Sequence, residues 1–447
     1  MTAPTTRPPA GTPSPARLAG LPNRLPPLLY FSAAHLFLAA AFATLALDPV
    51  EFTGFFQHAR MVAVVHMVTL GWITLSILGA LYMVGPMALR MPLPARAIDY
   101  VAFVLALVGV LGIVGHFFIA EYVGVAWSAG TLVTGVAIVA VRVARALWPA
   151  PIQRPVKIHI AFAFLNLLAA AAMGLLLALD KRLRFLHGSP LPNLYAHAHL
   201  AALGWAGMMV MGTGYRLLPM VLPAEMPKGR SLYASAVLLE TGTIGIFVTL
   251  LTGSGLLPCF ALLAAGGFTA FFLHVLWMRR RPRQAPAGMP RPDFGVGHAL
   301  QALVYAGLAA ALGLTLSVLP TSEASLRAAG LYGLFGLVGF LAQMVLGIQA
   351  RLVPMLASYH SNLNLVYDRP APKAHELPVR RLQRAIFSCW TAGVPLLAIG
   401  LWWESAGSIA AGGGLLFLAV VLGALNGAIV MRHAYRGELP TNLRNTK

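Results

Sequence analysis

Charge is scarce in this sequence, and acid is scarcer than base. Only 10% of its 447 residues are Asp, Glu, Lys or Arg, and 13 acids stand against 32 bases. So little charge excludes an ordinary soluble domain, in which about a quarter of residues are charged. Cysteine is nearly absent. Cys259 and Cys389 both lie in apolar runs, which excludes a disulfide framework or a thiolate metal site. What fills the chain instead is apolar, 58% of it.

Twelve apolar runs are long enough for helical spans: near 27–48, 60–86, 97–121, 123–147, 157–179, 193–219, 231–252, 255–278, 296–317, 328–356, 382–403 and 407–432. The sequence therefore predicts an all-α polytopic membrane bundle of twelve transmembrane helices over 27–433. Residues 1–26 are rich in Pro, Thr and Ala and have no apolar core, so they are expected to form a disordered cytoplasmic tail and not a signal peptide. Residues 434–447 form a second cytoplasmic tail.

With the spans laid end to end, only Arg60, Lys181, Arg182, Arg184 and Arg327 fall in the loops of one side. The other basic residues, among them Arg279-Arg280-Arg281 and Arg380-Arg381, fall on the side of the N-terminus. The positive-inside rule makes that side cytoplasmic, in a cell inner membrane with both termini inside. The net charge of +19 is thus an orientation signal. No aromatic or motif support for nucleic acid accompanies it. The lipid bilayer is the expected surrounding.

One segment recurs. His66-Met-Val-Thr-Leu-Gly71-Trp72 matches His199-Leu-Ala-Ala-Leu-Gly204-Trp205, and the match continues through Gly79 and Gly212, Tyr82 and Tyr215, Pro86 and Pro219, Met87 and Met220. A third copy ends in Gly347, Arg351, Pro354 and Met355, with Leu334 at the histidine position. The spacings are 133 and 135 residues, four spans per period. Three pseudo-repeated four-helix units follow, about 27–147, 157–278 and 296–432, a pattern that often places sites at repeat interfaces. The glycines suit close helix packing, and the proline suits a helix end.

Polar residues in spans are uncommon and are functional candidates by default. His66 and His199 share a repeat position, about two turns in from the outer surface. His197 lies two residues before His199, roughly 200° away around a helix, so the two face different neighbours. These three histidines are the candidate haem or metal ligands. His116 and His35 are weaker ones. His35, His159 and His298 fall at roughly similar places in the first span of each unit. Glu240 is the acid deep in a span, a proton-relay candidate or a partner for an imidazole N–H. Interhelical hydrogen bonding alone is the plain alternative for each. His58 and His187 fall in or beside outer loops; His274, His360, His375 and His433 are expected near the inner surface, solvated or against helix ends. Met208, Met209 and Met211 point around their helix and suit packing. Arg216 and Arg351 are placed to snorkel to the interface.

The architecture and the histidines resemble the catalytic subunit of the haem-copper oxidase superfamily, which includes oxygen and nitric oxide reductases. In motifs the likeness covers mainly the second and sixth spans. His197-Ala-His199, Gly212 and Pro219 look like that family's His-x-His on its tenth helix, where the two histidines ligate two haems on either side. His66 looks like its second-helix ligand. The resemblance implies a b-type, non-covalent haem, with copper as a further candidate. It implies His66 and His199 as the shared haem pair, with His197 facing a second pocket. Here the pair stands on the sixth span, the tenth has none, and the family's copper-site stretch and cross-linked tyrosine have no counterpart. That speaks against a full oxygen-reducing centre. The chain is also similar to the NnrS-type haem and copper membrane proteins, through His197-Ala-His199, Gly204 and Pro219, with Leu200 where they usually carry Glu. That likeness implies a role under nitrosative stress.

The resulting expectation is an oxidoreductase-like membrane redox protein of electron transfer or nitric oxide and oxygen handling, with a small gas as ligand and a separate cytochrome as donor. No Cys-x-x-Cys-His occurs, so any haem is held without covalent attachment. Two other classes stay open. One is a multi-span transporter with histidines and Glu240 along its path; the other is a haem-free sensor that keeps the fold.

Overall fold

The computed structural model describes residues 22–186, 190–285, 288–289, 291–364 and 373–436. Most of both tails, 1–21 and 437–447, and His187 lie outside the described residues.

Among the described residues, twelve long helices follow the order of the apolar runs. They are α1 (Leu25–Leu47), α2 (Ala59–Ala88), α3 (Ala97–Phe118), α4 (Tyr122–Leu147), α5 (Arg154–Leu183), α6 (190–221), α7 (Leu232–Thr252), α8 (Leu257–Arg279), α9 (Phe294–Val318), α10 (323–364), α11 (Arg380–Trp402) and α12 (Ala406–Arg436). Among the described residues the only strand-like pairing is an isolated bridge between Ala224 and Pro282. Eleven of the helices are long and apolar enough to cross a bilayer, and α6 equals the inner helix α2 in repeat position. Their outward faces leave Val104, Val108, Leu262, Leu273 and Val304 more than half exposed, a surface that suits hydrocarbon and not water. The chain is a multi-pass membrane protein.

Helices outrun the apolar runs at several ends. α1 begins at Leu25, inside the expected tail. α5 continues through Asp180, Lys181 and Arg182. The main chain goes on bonding internally at the depth where polar side chains already find water. Pro86 and Pro219 do sit in last turns, ending at Ala88 and Val221. Pro354 does not end α10, which runs on to Asn364.

The three units form a ring. α4 packs on α5, α8 on α9, and α12 closes back on α1. One helix of each unit, α2, α6 and α10, lies inside. Each carries an eight-residue π-helical segment: Met67–Thr74, Leu200–Gly207 and Phe335–Ala342. Their starts are separated by the 133 and 135 residues of the sequence repeat, so the repeat is structural. π turns lose main-chain pairing and leave carbonyls needing donors. Trp72 Nε1 donates to the carbonyl of Ala342 at 3.1 Å, and Trp205 Nε1 donates to Thr74 Oγ1 at 3.0 Å. Donation thus passes from α6 to α2 to α10. It stops there, because the third copy has Phe340, which has no ring N–H.

The repeated glycines mark where each inner helix crosses the first helix of its unit. A Cβ on Gly204 would lie 2.6 Å from Asn166 Cγ, and one on Gly339 2.5 Å from Tyr305 Cγ; on Gly71 it would collide with Phe37. Eight residues on, a Cβ on Gly79 would lie 2.6 Å from Tyr30 Cβ, on Gly212 2.6 Å from His159 Cβ, and on Gly347 3.0 Å from His298 Cβ. These contacts align the first helices of the three units. Tyr30, His159 and His298 are equivalent, and His35 is not their counterpart, which corrects the grouping expected from sequence. Gly212→Val forces α5 and α6 apart at a point where only backbone-proximal atoms meet. It is expected to cost roughly 1–3 kcal/mol, read as a lower unfolding temperature in detergent.

Candidate functional site at the histidine end of the inner helices

His66 and His199 each close an α-helical stretch immediately before a π segment. Each ring is held by its own helix: Nδ1 lies 2.8 Å from the Val62 carbonyl in one case and 2.7 Å from the Tyr195 carbonyl in the other. With Nδ1–H donated, Nε2 carries the lone pair. His197 is anchored differently. Its Nδ1 bonds the Ala170 carbonyl of α5 at 2.9 Å, and Gly174 makes the room, since a Cβ there would lie 3.0 Å from His197 Cε1.

The structure brings His66 together with His197, not with His199. The two rings are 6.5 Å apart between centroids and 23° from parallel, and Phe117 of α3 lies parallel to His66 at 5.1 Å. His199 turns to the opposite side of α6. There its Nε2 accepts from the hydroxyl of Tyr332 on α10 at 3.1 Å, the rings 5.8 Å apart and 25° from parallel. The angular separation read from the sequence is present; the pairing differs from the expected one.

The reason is rotational. Tyr332 stands 135 residues after His197, at the same repeat position, and Val64 occupies that position in the first copy. Leu334 is the third copy's equivalent of His66 and His199. In a ring of like units, each unit presents one face to the next and another to the one before, so unlike positions meet. His66 of the first unit meets His197 of the second, and His199 of the second meets Tyr332 of the third. Val64 of the first unit and Leu334 of the third hold the corresponding repeat positions, and both are buried. The threefold arrangement therefore brings together one His–His pair and one His–Tyr pair, with apolar residues at the third set of positions.

Tyr332 was not singled out by sequence reasoning, although the repeat spacing could have found it. Tyr332→Phe removes the donor from His199 Nε2 and is expected to lower stability by about 1 kcal/mol, seen as a small drop in unfolding temperature. Asn166 was also missed. It is a polar residue deep in a span, and its Nδ2 donates to Glu240 Oε2 at 2.7 Å and to the Phe162 carbonyl at 2.9 Å. Glu240 thus bonds an amide on α5 beside the π segment of α6, and no imidazole partners it among the described residues.

The remaining candidates lie elsewhere. His116 Nδ1 bonds the Gly112 carbonyl at 2.6 Å and lies 3.3 Å from Ser128 Oγ of α4. His35 bonds the Phe31 carbonyl at 2.8 Å and meets Trp72 edge-on at 5.0 Å. His159 is fully bonded, to the Pro155 carbonyl and to Ser235 Oγ. His274 is held between Tyr215 and Ser231, and His360 is buried. His58 caps α2 through Met61 N, and its ring is pushed below the usual histidine range by burial, with nearby Glu51 opposing that shift. Met208, Met209 and Met211 are core residues. Arg216 donates to the Ala88 carbonyl, and Arg351 is ion-paired with Asp293, so both arginines use protein partners. Among the described residues no three His, Cys, Asp or Glu converge on one point.

These observations define a class: a triplicated twelve-helix membrane bundle with two imidazoles side by side between its first and second units. No protein-family model matches the sequence, and no curated protein matches it.

Proposed function

We propose that the chain is a haem-binding integral membrane redox protein whose b-type haem is held by His66 and His197. One observation carries this: two imidazoles from different helices, near parallel, 6.5 Å apart, each with Nδ1 tied to a main-chain carbonyl. An iron held between the two imidazole nitrogens by bonds of about 2 Å would need ring centroids roughly 6 Å apart, close to the separation found. Carbonyl anchoring of the far nitrogen is the usual support of a ligating histidine. The Nε2 atoms of both have no hydrogen-bond partner among the described residues.

The donor count favours haem over a bare metal ion. Structural zinc takes four protein ligands, catalytic zinc three, and copper sites are similarly demanding. Haem iron asks the protein only for axial ligands. Lys181, Arg182 and Arg184 at the end of α5 bring positive charge to this end of the bundle for the haem carboxylates. A bis-imidazole haem is six-coordinate and carries electrons without an open gas position. Gas handling, whether of oxygen or nitric oxide, would need the other side of α6, where His199 is free to ligate only after Tyr332 is displaced. An electron carrier is therefore the better supported form. With the basic loops cytoplasmic, the histidine end faces outward in a cytoplasmic membrane, and a separate cytochrome on that side is the fitting donor.

Visible spectra of the detergent-purified protein test this. The expected result is a low-spin b-type spectrum, with sharp bands on reduction that carbon monoxide leaves unchanged. A colourless protein that is folded and helical would falsify it.

A further inference from the structure

The triplicated segment keeps one residue that neither backbone packing nor the histidine pockets use. Across 67–88, 200–221 and 335–356, the residues identical in all three copies are two glycines, a proline and the methionine that follows it. The glycines are required by the crossing helices. The proline fixes its own backbone. A methionine has no backbone role, and a greasy position would accept Leu, Ile or Val in its place. Other side chains drifted: just before the segment the histidine became Leu334, and within it the tryptophan became Phe340 and the tyrosine Ala350. Met87, Met220 and Met355 did not.

The fold gathers these three side chains. All of them border one cavity of about 30 Å³ between α2, α6 and α10, at the proline end of the inner helices. Each comes from a different unit, so all three units contribute a methionine to the wall of the one cavity. Met83, fully buried, adds a fourth to the same wall. The rest of the lining is aliphatic except for Arg351, whose charge is already matched by Asp293. Met220 is about half exposed, 49%, which leaves the cavity open to the surface.

We infer that this cavity is a thioether site for a soft monovalent cation, Cu(I). Thioether sulfur is neutral and polarisable, and it selects Cu(I) over ions that prefer oxygen or nitrogen. Neutral ligands leave a bound ion with its single charge, which an apolar wall tolerates better than a divalent one. The methionine side chain has three rotatable bonds, so three of them adapt to one small ion. The site stands at the opposite end of the inner helices from His66 and His197, and it is independent of any haem there.

The test is Cu(I) competition against a chromophoric Cu(I) chelator, without oxygen, on the full chain in detergent. Three proteins are compared: the unaltered chain, the double variant His66→Ala with His197→Ala, and the triple variant Met87→Leu, Met220→Leu, Met355→Leu. Leu for Met is close to volume-conserving, and circular dichroism checks the fold. The first two are expected to take up one equivalent of Cu(I), and the triple variant to bind it at least about tenfold more weakly, a loss of 1.4 kcal/mol. X-ray absorption of the copper-loaded chain should show sulfur neighbours near about 2.3 Å. Should the triple variant fail to fold, Met220→Leu alone, on the exposed wall, is expected to weaken binding measurably. Equal uptake with and without the methionines, no uptake by the unaltered chain, or a nitrogen-only copper environment would overturn the assignment.

Discussion

His66→Ala and His197→Ala are each expected to abolish haem binding, while His199→Ala leaves it near full occupancy. The readout is haem per protein, from Soret absorbance and pyridine haemochrome of each purified variant. Both lost ligands project from stretches that other contacts hold. His66 precedes a π segment anchored by Trp72, and His197 rests on Ala170 and Gly174. Removing one imidazole would leave one ligand where the proposed site needs two, so the expected change is loss of the cofactor and not a shifted spectrum. His199 faces Tyr332 across the other interface, and its removal deletes one hydrogen bond remote from the His66 ring. The converse change sharpens the test. Tyr332→His places an imidazole where rotation by one unit puts His197. The second interface would then repeat the first, with His199 and the new histidine as a pair, and a second equivalent of haem is the expected gain. Haem lost in His199→Ala but kept in His197→Ala would refute the pairing and restore His66 with His199, the pair that the family resemblance implies.

That first pairing shows where sequence reasoning reached its limit. The spans were legible because bilayer thickness imposes long charge-poor runs, and Leu25–Leu47 through Ala406–Arg436 follow them closely. The triplication was legible because glycines at helix crossings cannot drift. The family resemblance and the shared repeat position both point to His66 with His199, as though equivalent residues were neighbours. A ring works otherwise: equivalent residues are as far apart as the ring allows, and neighbours across an interface are non-equivalent. The spacing that links His197 to Tyr332 was in the sequence, but a tyrosine in an apolar run draws little notice. The π segments could not have been read. Leu200–Gly207 has the same composition whether its hydrogen bonds close on the fourth residue or the fifth. Asn166 was within reach, since it is an amide deep inside a span; its bond to Glu240, 74 residues on, was not.

The largest stability effect is expected at the other end of the first unit. Asp99, at the start of α3, has a fully buried side chain. Arg142 of α4 grips it with two bonds, Nε to Oδ1 at 3.0 Å and Nη2 to Oδ2 at 3.1 Å. Tyr82 Oη donates to Oδ1 at 2.9 Å, and the Arg96 amide donates to Oδ2 at 2.7 Å. Every lone-pair direction of the carboxylate is used, and the guanidinium also reaches the Pro94 carbonyl. Arg142→Met keeps the length of the side chain and removes its charge. The carboxylate then stays buried with two neutral donors and no counter-ion, and breaking a buried pair from one side costs about 3–5 kcal/mol. Most of that cost comes from the orphaned charge, not from the lost attraction. Asp99→Asn in the Arg142→Met background removes the charge and should therefore recover the greater part of the loss. In the second unit the same tyrosine position, Tyr215, bonds Ser235 and His274, so a neutral cluster serves where this charged one stands. Denaturant unfolding in detergent of the single and double variants measures the coupling. If Arg142→Met alone changes stability by less than about 1 kcal/mol, as exposed pairs do, then water reaches Asp99 and the pair is not the lock between α2, α3 and α4 that its geometry describes.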